Sequence, residues 1–540
     1  MTIEQIAKIA NTTLNDENSK VFTALKPQIE SWLNSDLFSH GGGGSKKFSK
    51  LYPPLLNPEQ IDYYSSDPAL CWILNLPLPN TFDFIVFGSH AASLHSAVPA
   101  FMGICGVYNI YFSRDAINPK QSQNFASQNT NRQNYIDIFK ALLQTKQIKD
   151  KFGYKKCYLQ LSDFLLDDDV AKFYALLPQK DALLVTRDPI SALKAMCHVQ
   201  NRPQFMLLGS ELFGAGVNFS ISAKDYFDKN LKYTNKFTND KYKPKVASDK
   251  ELFSDLPSIN DEKIKWWLLD RAQSFHDGQV FALLKERLLR VKIKLTSDFV
   301  NAKETMRDLS EFFGFDYNES PLFCERVSDL KYFTPLKIYT NENMPFFDEI
   351  NEPLSSSTEI DAQERMRISK EQAKSSIILH LSSIFDKRVY ISKNRGKIAS
   401  GEITEYFDGI EKHFVVFLEN PTLRTQFLAN QTLLNKAQKY ILLASHDIYK
   451  KAQNEKTKHL KESDILDFLA KNTELRALCA AVFNVHLSFL REYKPEIIET
   501  FKHYNHFAKL CVNDEQIEFC DEYKIEREKM SKIGLDKLWL

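Results

Sequence analysis

The 540-residue sequence has no CxxC cysteine pair, no apolar run long enough to cross a bilayer, almost no net charge and only 17 glycines. All but the last of these shortages remove a class of function. The eight cysteines, Cys71, Cys105, Cys157, Cys197, Cys324, Cys479, Cys511 and Cys520, are scattered. They match no zinc ribbon or redox motif, so reduced thiols in a cytoplasm are the simplest expectation. Lysine plus arginine (70) and aspartate plus glutamate (69) cancel, so no overall field favours nucleic acid or an anionic membrane. The start, Met1-Thr-Ile-Glu-Gln-Ile, has an early acidic residue and no long apolar core, so no secretion signal is expected. GxxxxGK[ST] is missing as well, which excludes a Walker A loop.

What is present describes a folded chain. Hydrophobic residues make up 43% and charged residues 26%, an ordinary globular balance, and the length calls for two or three domains. Residues 1–50 read as a helical arm, with Ile3, Ile6, Ile9 and then Val21, Phe22, Leu25, Ile29, Trp32 and Leu33 at helical spacing. The arm ends in Gly41-Gly-Gly-Gly-Ser45, a linker by composition. At the level of the gene, that run also suits a guanine tract that slips in replication and switches the reading frame. Residues 51–81 are punctuated by proline and are expected to be extended.

Residues 82–320 alternate short apolar runs with helical patterns, which predicts an α/β domain with a parallel sheet. Its strand candidates are 84–87, 156–161, 182–186 and 291–295, and the Asn- and Gln-rich stretch 118–134 reads as a loop. Residues 321–540 read as a mixed, mainly helical region. It has strand-like runs at 337–339, 389–392 and 413–418, a helix around 362–385, and a helix near 463 that Ser463 or Asp464 would cap.

Two segments carry the chemistry. Phe84-Ile-Val-Phe-Gly-Ser-His-Ala-Ala-Ser93 breaks from an apolar strand at Gly88 into small polar residues and resumes as a helix. Such a turn aims main-chain N–H groups and the positive end of a helix at one spot, which suits a phosphate. Ser89 and Ser93 add hydroxyl donors, and His90 adds a donor or a positive charge. Ala182-Leu-Leu-Val-Thr-Arg-Asp-Pro-Ile-Ser191 has the same form. Pro189 starts its helix, Asp188 is placed to cap it, and Arg187 with Ser191 makes an oxyanion clamp. Side by side, the two turns would grip a nucleotide bearing two phosphate groups. The plainer alternatives are a polar turn capping a helix and an Arg-Asp pair closing a loop.

These residues resemble the nucleotide-binding fold of sulfotransferases that use phosphoadenosine phosphosulfate. The resemblance covers roughly residues 82–316. It implies that the 88–93 turn holds the 5′ end of the donor and that Arg187 and Ser191 hold its 3′-phosphate. Leu295-Thr-Ser-Asp-Phe-Val, followed by the helix from Met306 that ends in Phe312-Phe-Gly-Phe, is similar to the family's late strand and helix. The family carries Lys or Arg in its first loop before a Gly-Thr or Ser-Thr pair, whereas this chain has His90, Ala91 and Ala92. That departure leaves room for another activated donor in the same cradle.

Tyr52-Pro-Pro-Leu-Leu-Asn-Pro-Glu59, Leu76-Pro-Leu-Pro79 and Val185-Thr-Arg-Asp-Pro-Ile-Ser191 also resemble a family from campylobacters and related bacteria. Its members are labelled sugar transferases or invasion-associated proteins. Some are linked to decorating capsule sugars with O-methyl phosphoramidate, and such genes often vary in phase through guanine tracts.

The expectation is a cytoplasmic transferase of P-loop-like, sulfotransferase-like fold. It would move a sulfuryl or O-methyl phosphoramidyl group from a nucleotide-activated donor, PAPS-like or CDP-linked, to a hydroxyl of a capsular glycan. The implied partner is a surface-glycan acceptor, with peripheral association with the glycan assembly machinery and no nucleic acid, transmembrane segment or metal. The donor phosphates fall to Gly88, Ser89, Ser93, Arg187 and Ser191, and His90 is the catalytic candidate. His95, His198 and Glu211 are further candidates for the base, and Trp266-Trp267 for stacking on a sugar.

The alternatives are a glycosyltransferase and a non-catalytic invasion factor. Asp167 to Asp169 would be the glycosyltransferase's metal site, though a run of aspartates is more simply a solvated turn. The pair His503 and His506 lacks further ligands.

Overall fold

Strand β1, Phe84–Phe87, is buried at all four positions, as a strand covered on both faces of a sheet must be. The computed structural model describes residues 1–38, 48–94, 97–110, 130–162, 169–200, 203–205, 216–234, 253–254, 259, 261–269, 274–320, 323, 330–349, 376–384 and 401–511. β1 pairs in parallel with both β3 (Lys156–Leu161) and β4 (Lys180–Thr186). With β2 (Val107–Asn109) and β5 (Leu288–Leu295) they form one parallel sheet in the order β2-β3-β1-β4-β5. The chain is therefore α/β. The strands expected at 84–87 and 156–161 are found at those bounds, and those at 182–186 and 291–295 start earlier, at Lys180 and Leu288.

The strand order fixes where a ligand can sit. The chain leaving β1 goes to β2 on one side, and the chain leaving β4 goes to β5 on the other. In an open parallel sheet, the crevice at the carboxyl ends of two such strands is the usual place for a ligand.

Alternate residues of the strands feed two faces. Ile85, Phe87, Leu159, Leu161, Ala182 and Leu184 join a core that also takes in Ile6 of α1 (Ile3–Ile9), Phe22 and Ile29 of α2 (Asp16–Leu33), and residues 70–78. On the other face, Phe84 stacks on Phe313 with centroids 4.2 Å apart, and Phe101 of α3 (Ala97–Ile104) stacks on Phe299. Burying one such phenyl ring stabilises the fold by roughly 2–3 kcal/mol.

Further helices bear on the site. They are α4 (Pro189–Gln200), α5 (Asp277–Leu284), α6 (Ala302–Phe313), α7 (Glu462–Lys471), α8 (Thr473–His486) and α9 (Lys502–Leu510). The edge strand β5 carries Arg290, Lys292 and Lys294. The two lysines pair with Asp308 of α6 at 2.6 and 2.7 Å, a charged edge of the kind that discourages further strand pairing.

The chain divides into two compact units: 1–193, 264–317 and 462–540 in the first, and 194–263 with 318–461 in the second. The division cuts across a boundary at residue 320. The N-terminal helices, each opened by a capping box, pack into the first unit, where Trp32 Nε1 donates to Pro54 O at 2.9 Å. The proline-rich 51–81 segment is not extended throughout. Pro68–Ile73 is a helix because Asp67 caps it and Pro68 takes its first position, where proline favours a helix.

The second unit contains a four-stranded mixed sheet of Phe414–Leu418, Ile377–Ser383, Leu336–Thr340 and Gly216–Asn218. The long helix Gln431–Thr457 packs against it through Ala437, Tyr440 and Ile441. The expected helix at 362–385 is corrected here, since 377–383 is a strand. Its backbone pairs with strands on both sides, and that long-range pairing overrides the helical spacing. The candidates at 389–392 and 41–45 lie outside the described residues. Among the described residues, no helix is long and apolar enough to cross a membrane.

Candidate functional site

The crevice between β1 and β4 begins at Gly88, where φ is +155° and a Cβ would lie 2.2 Å from the Val185 carbonyl oxygen. Only glycine fits, because the backbones leaving the two strands touch at this point. The loop then passes through two left-handed non-glycine residues, Ala91 (φ +62°) and Ser93 (φ +66°). Such residues cost about 1–2 kcal/mol each and persist where surroundings hold them. Within the loop the Ala92 N–H donates to Ser89 O at 3.2 Å, which closes the turn on itself.

A buried carboxyl holds this loop to the next strand. Ser89 Oγ donates to Asp277 Oδ1 at 2.6 Å, and Thr186 Oγ1, at the end of β4, donates to Asp277 Oδ2 at 3.2 Å. Asp277 opens α5 and is buried. Burial pushes its carboxyl up to about 7, against the downward pull of the Ser89 and Thr186 hydroxyls and of His276. The Asp277 N–H donates to His486 Nδ1 at 3.3 Å, so that nitrogen carries no proton. Burial, with Arg491 adding to it, pushes His486 down to about 3, which leaves the ring neutral. Its Nε2 lies 3.7 Å from Asp277 Oδ2, too long for a hydrogen bond, and a neutral ring makes no ion pair there. Gly278 permits the approach of α5 to α8, since a Cβ would lie 2.1 Å from Val485 O.

The second turn is held just as firmly. Arg187 Nη1 donates to Ala91 O at 3.2 Å, so the guanidinium is tied to the first loop. Burial lowers its pKa, and Glu462 and Asp188 oppose that shift. Asp188 caps α4 as its position suggests: Oδ1 accepts from the N–H groups of Ile190 (2.9 Å) and Ser191 (3.3 Å). Oδ2 accepts from His503 and Tyr504 N–H, in the first turn of α9, at 2.9 and 3.1 Å. Ser191 Oγ donates to Glu462 Oε1 at 3.0 Å.

Thus Gly88, Ser89 and Arg187 are brought together, and Ser191 stands one turn into α4. Two hydroxyls expected to face a phosphate are turned to carboxylates of the chain, Ser89 to Asp277 and Ser191 to Glu462. Ser93 is half-buried in the loop, and the half-buried His90 ring meets Trp267 edge-on at 5.6 Å. Trp267 is buried and Trp266 half-buried, with centroids 4.4 Å apart. His198 belongs to the second unit, where its ring packs against His459. His95, Glu211, Asp167 and Asp168 lie outside the described residues, and Asp169 directly precedes the helix Val170–Ala175. Among the described residues, no group of three or more His, Cys, Asp or Glu is placed to hold a metal.

Residues 297–513 match a family model described as a protein of unknown function (DUF2972). No curated protein and no solved structure matches the chain. The matched segment includes Glu462, His486 and α9, whereas Gly88, Arg187 and Asp277 precede it.

Sequence reasoning missed Asp277, His486 and Glu462. Asp277 had a usable signal, an acidic residue followed by glycine at the head of an apolar helix. Glu462 had none, because nothing local ties it to Ser191.

Proposed function

We propose that the chain is a cytoplasmic transferase that binds a nucleotide-activated donor against the 88–94 loop and Arg187. It moves a charged group, sulfuryl or O-methyl phosphoramidyl, to a hydroxyl of a cell-surface glycan precursor. The acceptor oxygen forms the new bond to sulfur or phosphorus as the bond to the donor's phosphate oxygen breaks. The hydroxyl proton passes to a base, and the nucleotide leaves with the electron pair.

The observation that supports this reading is the hydrogen bond from Arg187 to Ala91 O, which sets a guanidinium beside the left-handed loop that follows β1. Charge developing on the leaving phosphate would meet preorganised donors there, the arrangement that contributes most to many enzymatic rates. Gly88 and Ser93 shape the loop, Ser89 ties it to Asp277, and His90 supplies a donor at its rim. Trp266 offers an aromatic face of the type on which a sugar ring stacks. The choice of sulfuryl or phosphoramidyl rests on the family resemblances.

The test is thermal stabilisation of the full chain by adenosine 3′,5′-bisphosphate, CMP, CDP and UDP, repeated on Arg187→Ala. Stabilisation by nucleotides of one base is expected. Arg187→Ala should weaken binding by about 10- to 100-fold, the worth of a charge-assisted hydrogen bond. Absence of stabilisation by all four nucleotides removes the reading.

A further inference from the structure

The Asp277 carboxyl lies where three parts of the first unit meet, and it is only 2% exposed. Ser89 of the 88–94 loop reaches it through its hydroxyl, at 2.6 Å, and through its main-chain N–H, while Thr186 at the end of β4 reaches the other oxygen at 3.2 Å. Among the described residues, no lysine or arginine pairs with it. Its ionisable neighbours are His276, on its own helix, and His486 on α8, which burial and Arg491 keep neutral. The charged groups on the other elements around α5 are engaged elsewhere. Arg491 donates to Asn484 O and the Tyr504 hydroxyl, Arg187 to Ala91 O, Lys172 lies over the Trp72 ring, and Lys285, past the far end of α5, pairs with Glu492. His90, in the loop itself, meets Trp267.

A neutral carboxyl keeps both hydroxyl bonds, because a hydroxyl can accept a proton as well as donate one. Once ionised, it is a buried charge with no cation to answer it, and such a charge is relieved by admitting water. Only one wall of the cluster is built to give way. Thr186 is fully buried at the end of a strand that is paired on both sides, and α5 is seated on α8 where Gly278 meets Val485. The loop, in contrast, holds the left-handed Ala91 and Ser93, a strain that its opening would relieve. We propose that Asp277 is a latch on the crevice: neutral, it holds the 88–94 loop to β4, and ionised, it lets the loop open. Burial pushes the carboxyl up to about 7, which brings the change within the ordinary range of pH. The latch acts whatever the crevice binds.

The experiment is hydrogen–deuterium exchange of the full chain, read by mass spectrometry from pH 5 to pH 8, with each rate divided by the intrinsic rate at that pH. The loop has amides to report on, since the Ser89 and Ala92 N–H groups are both bonded in the closed form. In the wild type, protection of 88–94 should fall by about tenfold per pH unit up to about 7 and level off above it, because the closed carboxyl keeps a proton that the opened one has lost. At pH 7, low urea should leave exchange of the loop unchanged and speed that of residues 84–87, because a local opening exposes little surface. Asp277→Asn cannot ionise, so protection of its loop should not vary with pH. Loop protection that is constant from pH 5 to pH 7 in the wild type overturns the proposal. Loss of protection in the loop and in 84–87 together, with the same urea dependence, also overturns it, because ionisation would then unfold the unit and not the loop. Both readings come from the wild type, so they decide even if Asp277→Asn fails to fold. A pH slope retained in a folded Asp277→Asn overturns it as well, since another group would then work the loop.

Discussion

The two strand exits that meet at the crevice look alike in sequence and work on opposite principles. The turn after β1 has no Lys, Arg, Asp or Glu between residues 88 and 94, and it depends on shape: a glycine against a carbonyl and two left-handed residues. The turn after β4 depends on charge, and the chain balances that charge itself through Asp188 and Glu462. A strand-turn-helix pattern says where main-chain N–H groups point. It does not say how much field is left for a ligand.

The sharpest break in this comparison is Gly88→Ala. Its new methyl group would overlap the Val185 backbone, which has no rotamer with which to move aside. We expect a loss beyond about 4 kcal/mol, at the diagnostic end of single-residue effects, read as failure of cooperative unfolding in urea. Gly106→Ala is the control, with a left-handed φ of +70° and open space around the new methyl group, and should cost only about 1–2 kcal/mol.

The next largest effect concerns Asp277. Its carboxyl titrates near 7 in the folded chain against an ordinary 3.8, so between those values the folded state holds a proton that the unfolded state has lost. The stabilisation is complete below about 3.8 and fades as pH rises through 7. The difference is on the order of 4 kcal/mol at about 1.4 kcal/mol per unit. Urea midpoints should fall between pH 5 and pH 8 in the wild type, and Asp277→Asn should flatten that slope. Parallel pH profiles in the two proteins would refute the assignment.

A smaller effect belongs to the charged turn. Asp188→Ala removes the cap of α4 and the acceptor for two N–H groups of α9, at a cost of about 1–3 kcal/mol. Asp188→Asn keeps an acceptor oxygen and should recover part of the loss in thermal unfolding. If neither variant shifts the melting temperature, the turn is not held through this carboxylate.

Much of the local architecture was legible in the residues. The strand at 84–87 announces itself as a short apolar run ended by Gly88, and Asp188-Pro189 marks a helix start that the structure contains. The helix expected to begin near Ser463 begins at Glu462, which puts Ser463 and Asp464 inside its first turn and not at its cap. The stretch 377–383 shows the limit of such reading, because seven residues of mixed polarity become a strand once two neighbours supply hydrogen bonds.

The sequence by itself determined most of the local elements and the cap on α4, since each depends on residues within about four positions of one another. Only the tertiary structure decided that β1 and β4 are neighbours, that Ser89 answers to Asp277 and Ser191 to Glu462. Those pairs lie 188 and 271 residues apart. Charge and burial act through space, so the electrical content of the crevice exists only once the chain has folded.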